Sequence, residues 1–424
     1  MRNRHLNCFF LLLSSLLPMA SWSSDAHISG FGTVAYSYES EDDIGFMRDL
    51  SHPYDPSVNG SWLSDSRFGL QFDYSINNQW RTALQIIAKD RSSEEWGDVL
   101  EIAFLGYQPN ESWDFRVGRV APDAFWATET RNIDYGHNWV RPPLEVYSWL
   151  AFQSVDGIDV LYHTYISNID WYFGSQFGVI HTNVESSSGD LIKTTGSPLM
   201  SLSVKAVWGE WRIRTALIYT PDLSSSLSPS SSTQAAIDSL NGVAAINFSP
   251  EITEEASSLA SALSIEDEGV LYAQLGLEYF TGDWLVSSEV VSIQSEHGQV
   301  IIPSGIGSYL SVAYYNNGWT PYVIASMFSP DIGPQKAKSD WGTVGPSLSG
   351  LQNTIINNIN SSRVDQHTLS VGIRWDVMSN IAIKAQVDFI EIAPNGYGLW
   401  ANETSLNSME TKLELYTLSL NFIF

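Results

Sequence analysis

The feature that most constrains this chain is a two-residue alternation of apolar and polar side chains that recurs along most of its length. In residues 67–74, one face would carry Phe68, Leu70, Phe72 and Tyr74. Alternation over four to eight residues is typical of a β-strand with one apolar and one polar face. The same pattern returns in residues 80–86, 211–219, 369–376 and 381–389.

Extending this pattern along the chain predicts sixteen strands. They cover residues 28–38, 66–76, 80–89, 99–108, 113–121, 153–165, 170–182, 199–208, 211–220, 270–280, 284–294, 308–316, 319–328, 366–376, 380–390 and 412–424. A soluble sandwich would show the same alternation, so the connections between strands have to decide the architecture.

The connections alternate between short and long. Short turns such as 77–79, 209–210 and 317–318 carry Asn, Gly or Asp, which accept the backbone angles of hairpin turns. Long gaps include 39–65 and 122–152, and also 221–269 and 329–365. An even number of antiparallel strands with short turns at one rim and long loops at the other predicts an all-β fold, a transmembrane β-barrel.

Six tryptophans support a membrane location for this barrel. Each begins a predicted strand directly after a short turn, which is the position of an aromatic girdle at one membrane interface. They are Trp80, Trp113, Trp171, Trp211, Trp284 and Trp319.

The N-terminus predicts export. Arg2, Arg4 and His5 precede an apolar stretch at residues 9–17, and small residues follow around 20–26. This layout is typical of a secretory signal peptide. We therefore expect a signal peptide at residues 1–26, with cleavage between about 20 and 26, and a barrel domain at 27–424. The single cysteine, Cys8, lies in the signal segment, so the mature chain would contain no thiol.

The charge balance excludes a nucleic-acid partner, because the chain has a formal net charge of −26 and nucleic-acid binding needs clustered Lys and Arg. Acidic side chains concentrate in residues 39–65 and 221–268, where they could attract cations or simply be solvated. Near-helical spacing predicts short helices at 233–246 and 252–263, with another at 348–360.

The two ends of the mature chain resemble the Gram-negative outer-membrane porins. Residues 27–33 are similar to a porin first strand, and 418–424, ending in Phe424, resemble the terminal strand. The resemblance implies a sixteen-stranded homotrimer that lies among outer-membrane lipid and lipopolysaccharide and passes small hydrophilic solutes. It also implies recognition of the Phe424 strand by the barrel-assembly machinery. No cofactor is expected.

In the porin family the third long loop folds into the barrel, facing a row of wall arginines. The matching loop here, 122–152, is rich in charges and aromatics, so we expect the pore constriction there. It could instead pack on a neighbouring subunit. The expected wall residues are Arg67, Arg81 and Arg116, with Arg119 at the entrance to the loop. The expected loop residues are Asp123, Glu129, Arg131, Asp134, Arg141 and Glu145.

Three other functions remain open. A substrate-specific channel could stack sugar rings on Trp126, Tyr135, Trp139 or Trp149, or hold organic acids with its arginines. An adhesin could use loops 221–268 and 329–365. A barrel enzyme is disfavoured because none of the common hydrolase or phosphate-binding motifs is present. Its candidate catalytic residues would be His52, His137, His163 and His181.

Overall fold

The computed structural model describes residues 25–57, 59–93, 95–148, 150, 152–298, 301–402 and 408–424. Residues 1–24 of the predicted signal peptide, including most of the expected cleavage region, lie outside the described residues, as does Trp149.

Sixteen strands form one closed antiparallel barrel in the described part of the chain, which confirms the predicted fold class. Consecutive barrel strands pair side by side, and β1 pairs with β18 to close the ring. The barrel strands are β1 (Ala26–Glu39), β3 (Arg67–Ser75), β4 (Trp80–Lys89), β5 (Leu100–Asn110), β6 (Trp113–Val120), β7 (Val155–Ile166), β8 (Ile169–Glu185), β9 (Leu191–Trp208), β10 (Trp211–Ser226), β11 (Glu268–Phe280), β12 (Trp284–Ser295), β13 (Gly305–Tyr314), β14 (Trp319–Pro330), β15 (Val364–Met378), β16 (Ile381–Tyr397) and β18 (Thr411–Ile423).

Several strands are longer at the long-loop rim than the sequence predicts. β9 begins at Leu191 instead of 199, and β10 continues to Ser226 instead of 220. Backbone pairing persists there, as between Ser226 and Lys193. Both faces of these extensions carry Ser, Thr and Lys, so apolar and polar residues do not alternate there. Periodicity therefore does not predict these residues as strand.

Two further strands, β2 (Ile44–Phe46) and β17 (Trp400–Asn402), pair with each other outside the barrel sheet. With three residues each, they are too short for periodicity to reveal.

The outer face of the barrel is apolar. Leu202, Leu217, Leu275 and Leu418 are all at least half exposed on alternate positions of their strands. At the short-turn rim, tryptophans pack against aromatic rings of neighbouring strands, as Trp211 does on Tyr279 at a centroid distance of 4.4 Å. These positions fit the predicted aromatic girdle. Among the described helices, none is both long enough and apolar enough to cross a membrane.

Two long loops form a helical cap at the other rim. It consists of α3 (Ser232–Ile246) and α4 (Pro250–Ala262) from one loop and α5 (Pro346–Asn360) from another, close to the three predicted segments. Ser231 and Ser249 cap the first two helices by accepting hydrogen bonds from Gln234 N and Ile252 N. Two one-turn helices, α1 (Trp96–Val99) and α2 (Leu144–Tyr147), lie in other loops.

The cap has its own apolar core, in which Leu240, Leu259, Ile355 and Ile359 surround the fully buried Trp341. This core joins the two loops, so the cap is a single packed unit.

Glu255 of α4 is the polar link between the two loops. Its carboxylate accepts hydrogen bonds from Lys338 N at 2.7 Å, Ser339 N at 2.9 Å, Trp341 Nε1 at 3.1 Å and Gln352 Nε2 at 3.0 Å. Burial alone would raise the pKa of Glu255, but these donors hold the pKa below its ordinary value. The ionised form therefore stabilises the cap.

We predict that the cap loosens in acid. Because the folded pKa of Glu255 is lowered, its contribution is complete above the unfolded value near 4.5 and is lost as the pH falls through the folded pKa. Hydrogen exchange of α3–α5 amides, corrected for intrinsic rates, should accelerate below that pH.

The matched pair of variants is Glu255→Gln and Glu254→Gln, since Glu254 is the exposed neighbour. Glu255→Gln should destabilise the cap by about 1–3 kcal/mol at neutral pH, because the amide NH₂ of the new side chain would face hydrogen-bond donors. It should also abolish the acceleration of amide exchange in acid. The same acceleration in Glu255→Gln as in the wild type would contradict the role of the Glu255 carboxylate.

Candidate functional site

The loop between β6 and β7 lies inside the barrel. Trp126 N donates to Glu289 of β12 at 3.1 Å, and Gln366 of β15 donates to Glu145 at 2.7 Å. Glu289 and Gln366 are fully buried, whereas the neighbouring Val290 is 44% exposed on the outer face. These contacts run across the barrel interior, so the loop divides the lumen and does not project from the rim.

One buried cluster fastens the loop to β1 and β3. Asp134 pairs with Arg48 at 2.6 Å and Arg67 at 3.3 Å, and accepts a hydrogen bond from Thr33 at 2.8 Å. Lys384 of β16 donates to the backbone oxygen of Asp134 at 2.5 Å. Burial would raise the pKa of Asp134, but the surrounding cations hold it below its usual range.

A second buried cluster fastens the loop to β16 and β18. Arg141, only 2% exposed, pairs with Asp65 at 2.8 Å and also with Asp388, and it donates to Thr417. Its guanidinium lies 4.7 Å from the ring centroid of Phe46. Breaking a buried pair of this kind leaves an uncompensated charge, which typically costs about 3–5 kcal/mol.

Together the two clusters lie on the side of the lumen bounded by β1, β3, β16 and β18. A cavity of about 920 Å³, which we call the polar chamber, lies on the short-turn side of the loop. It lies against the inner faces of β6–β13.

Charges of both signs border the polar chamber. Arg116 of β6 pairs with Glu129 of the loop at 2.8 Å and bonds Asp159 of β7 through its Nε at 2.5 Å. Asp123 of the loop pairs with Arg214 of β10 at 2.6 Å. The Glu129 side chain is 58% exposed, so its charge acts on the open space. The loop therefore brings carboxylates against wall arginines.

The ten predicted constriction residues separate into four groups. Arg116, Asp123 and Glu129 line the polar chamber. Arg81 pairs with Asp114, which also lines it. The five buried anchoring residues are Arg67, Arg131, Asp134, Arg141 and Glu145.

Arg119 is the tenth, and its expected place in the pore constriction is corrected. It lies on the face of β6 that carries the exposed Phe115 and Val117. Its side chain pairs there with Asp156 at 2.7 Å and donates to the backbone oxygen of Gly97 at 2.6 Å. Arg119 is two positions from the outward-facing Val117, so strand alternation places its side chain on the outer face as well.

Several charged residues of the site are not among those predicted from the sequence. Arg214, Glu289 and Lys384 occupy inward positions, and the strand alternation alone would have identified them. Arg48 and Asp65 had no such signal, because they come from an irregular loop that reaches the lumen only in the folded barrel.

The candidate hydrolytic histidines are hydrogen-bonded to unrelated partners. His52 bonds Ser64 O, His137 bonds Thr130 O, and His163 bonds Asp170. His181 bonds Thr195 Oγ1 at 3.2 Å. Within the described ranges, no group of three or more His, Cys, Asp or Glu residues is placed to hold a metal ion.

Comparison with known proteins identifies the fold. No protein-family model and no curated protein sequence matches the chain. Among solved structures, OmpF of Salmonella typhi, in complex with daunomycin, is similar with a TM-score of 0.52 and 10% identity, over 94% of this chain and 97% of OmpF.

The outer-membrane channel DcaP of Acinetobacter baumannii is similar with a TM-score of 0.51 and 11% identity, over 96% of this chain and 100% of DcaP. At these identities the likeness concerns the fold. The chain has the closed sixteen-stranded barrel fold of the Gram-negative outer-membrane porins.

Proposed function

We propose that this protein is an outer-membrane channel through which small hydrophilic solutes and ions diffuse passively. The observation that carries the proposal is the loop across the lumen, whose Glu129 and Asp123 face Arg116 and Arg214 at the border of the polar chamber. The resemblance of the fold to OmpF and DcaP supports it.

Opposed charges across a narrow water-filled space create a transverse electric field. Such a field orients water and favours polar solutes over apolar ones. Here the loop and wall charges are in direct contact, Asp123 with Arg214 at 2.6 Å and Glu129 with Arg116 at 2.8 Å, so the field on a solute arises at the border of the chamber and not across it. The loop would thus act as the constriction of the channel.

A substrate-specific channel is the second candidate, and two indoles favour it. Trp126 and Trp139 line the polar chamber, although their Nε1 atoms are buried. Apolar ring faces at the border of a polar chamber suit a sugar. Tyr135 is less available, because its hydroxyl donates to Ser379 O at 2.7 Å.

The proposal extends to location and partners. An export signal at residues 1–26 would direct the chain outward, and the barrel would lie in outer-membrane lipid and lipopolysaccharide as a homotrimer. The barrel-assembly machinery would recognise the strand that ends at Phe424. The protein would bind no nucleic acid and perform no catalysis.

Planar-bilayer conductance of the refolded barrel under a salt gradient tests the channel. We expect large conductance steps in groups of three, and a reversal potential that reports the dominant charge. Solute-specific blockade of the current by a sugar would favour the substrate-specific channel. Silence from correctly folded protein would overturn both.

Charge removal at the polar chamber should change ion selectivity. Arg116→Ala leaves Glu129 and Asp159 without their partner, so the reversal potential should shift toward cation selectivity. Arg81→Ala should act in the same direction, through Asp114. Lys412→Ala removes an exposed cation that pairs with Glu391 and serves as the control. An unchanged reversal potential in both arginine variants would count against the proposed wall.

Release of the loop should enlarge the pore. Arg141→Leu leaves the buried Asp388 without its cation and Asp65 with Arg48 alone, at a cost of about 3–5 kcal/mol, so the loop should detach from the wall. We expect larger and noisier single-channel steps, with the barrel still folded by circular dichroism. Steps of wild-type size and noise would show that Arg141 does not hold the constriction.

A further inference from the structure

The inner wall changes character halfway along five consecutive strands. On the short-turn side, the inward positions of β8–β12 carry Gln176, Ser203, Arg214, Gln274 and Glu289. On the long-loop side of the same strands they carry Ile180, Leu199, Ile218, Val270 and Ile293. A lumen that served only hydrated solutes would need polar side chains at both levels.

The apolar level encloses a second cavity, of about 500 Å³, which we call the apolar chamber. Leu351 and Ile355 of α5 and Ala236 of α3 cover it from the helical cap. Its volume lies within the range of about 300–1,000 Å³ that is typical of small-molecule sites.

An aromatic layer separates the two chambers. The ring of Phe125 lies 4.5 Å from that of Tyr147 and packs edge-to-face on Tyr272 at 5.7 Å, and all three side chains are buried. Phe125 and Tyr147 line the polar chamber, whereas Tyr272 lines the apolar chamber. These three rings therefore lie between the two chambers.

The charges around the apolar chamber define what it can hold. Its described lining contains no Lys, Arg or His. The one carboxylate in that lining, Glu185, accepts a hydrogen bond from Tyr54 N at 3.3 Å. An anionic ligand would find no counter-charge there, and any ion would lose hydration. The lining therefore selects an uncharged molecule.

Tyr272 of this lining carries a buried polar atom without a partner in the described part of the chain. Tyr272 is 4% exposed, and its hydroxyl makes no hydrogen bond within the described residues. Buried polar groups are nearly always hydrogen-bonded, so an unpaired one in a cavity wall points to a ligand that supplies the bond. That ligand would carry one hydroxyl or carbonyl group.

We propose that the apolar chamber binds a small, uncharged, predominantly apolar molecule with a single hydrogen-bonding group, which contacts the Tyr272 hydroxyl. The aliphatic wall of β8–β12 buries the apolar body, and the cap covers it. This binding requires the folded barrel but not ion conduction, so it can be tested separately from the channel function.

Protection of an engineered thiol tests the proposal in the folded full chain. Cys8 is the single cysteine of the sequence, so Cys8→Ser provides a thiol-free background. Thr182→Cys places a half-buried thiol in the apolar chamber, and Ser112→Cys places a matched half-buried thiol in the polar chamber. The reaction of each with a methanethiosulfonate reagent is timed with and without 1-naphthol.

We expect 1-naphthol to slow labelling at Thr182→Cys at least several-fold and to leave Ser112→Cys unchanged. Naphthalene-1-sulfonate, which has the same rings but is an anion, should protect neither. Equal protection at both sites, protection at neither site, or protection by the sulfonate would each overturn the proposal.

Tyr272→Phe tests the polar contact with almost no change in volume. The concentration of 1-naphthol that gives half protection of Thr182→Cys should rise about fivefold in this background, as expected for one lost hydrogen bond. Protection by naphthalene, which has no hydroxyl, should not change. An equal loss for both probes would indicate a packing defect and would overturn the role of the hydroxyl.

Discussion

The pairing of the first strand with the last is the constraint on which the rest of the structure depends. Phe31 to Glu39 of β1 pair with Ile423 to Leu415 of β18, and Gly30 and Phe424 exchange backbone hydrogen bonds of 2.9 Å. Unpaired backbone groups in a membrane cost several kcal/mol each, so a sheet there must close. Closure also fixes which side chains face inward, since a slip of one residue would reverse both faces.

The inward charges then place the loop. Asp134 and Arg141 join it to the wall of β1, β3, β16 and β18, and this side of the lumen is filled with buried ion pairs. The open space is displaced to the opposite wall, β6–β13, where Arg116 and Arg214 face the loop. The same loop thus acts as a plug on one side and as a charged border on the other.

Along the barrel axis, the two chambers differ in chemistry because the inward side chains differ. The loop supplies the Phe125 and Tyr147 part of the aromatic layer between them, and the helical cap covers the outer one. A polar cavity and an apolar cavity therefore occupy one barrel at two depths.

Much of the fold and part of the site could be predicted from the sequence. Periodicity identified all sixteen barrel strands and the inward positions of Arg67, Arg81 and Arg116, because alternation is a local property that closure preserves. The same alternation places the Arg119 side chain on the outer face, which contradicts the expected place of Arg119 in the constriction. The strand extensions at Leu191 and Ser226 could not be predicted from periodicity, since their pairing depends on neighbouring strands and not on alternating apolar residues.

The sequence by itself determined the strand order, the apolar outer face and the charge content of the loop. Only the tertiary structure decided which charges meet: Asp134 with Arg48, Arg141 with Asp65, and Glu129 with Arg116. It also decided that Ile218, Ile293 and the cap enclose one apolar chamber. The physical reason is distance along the chain, since these contacts join loops and strands whose approach is set by barrel closure and not by local preference.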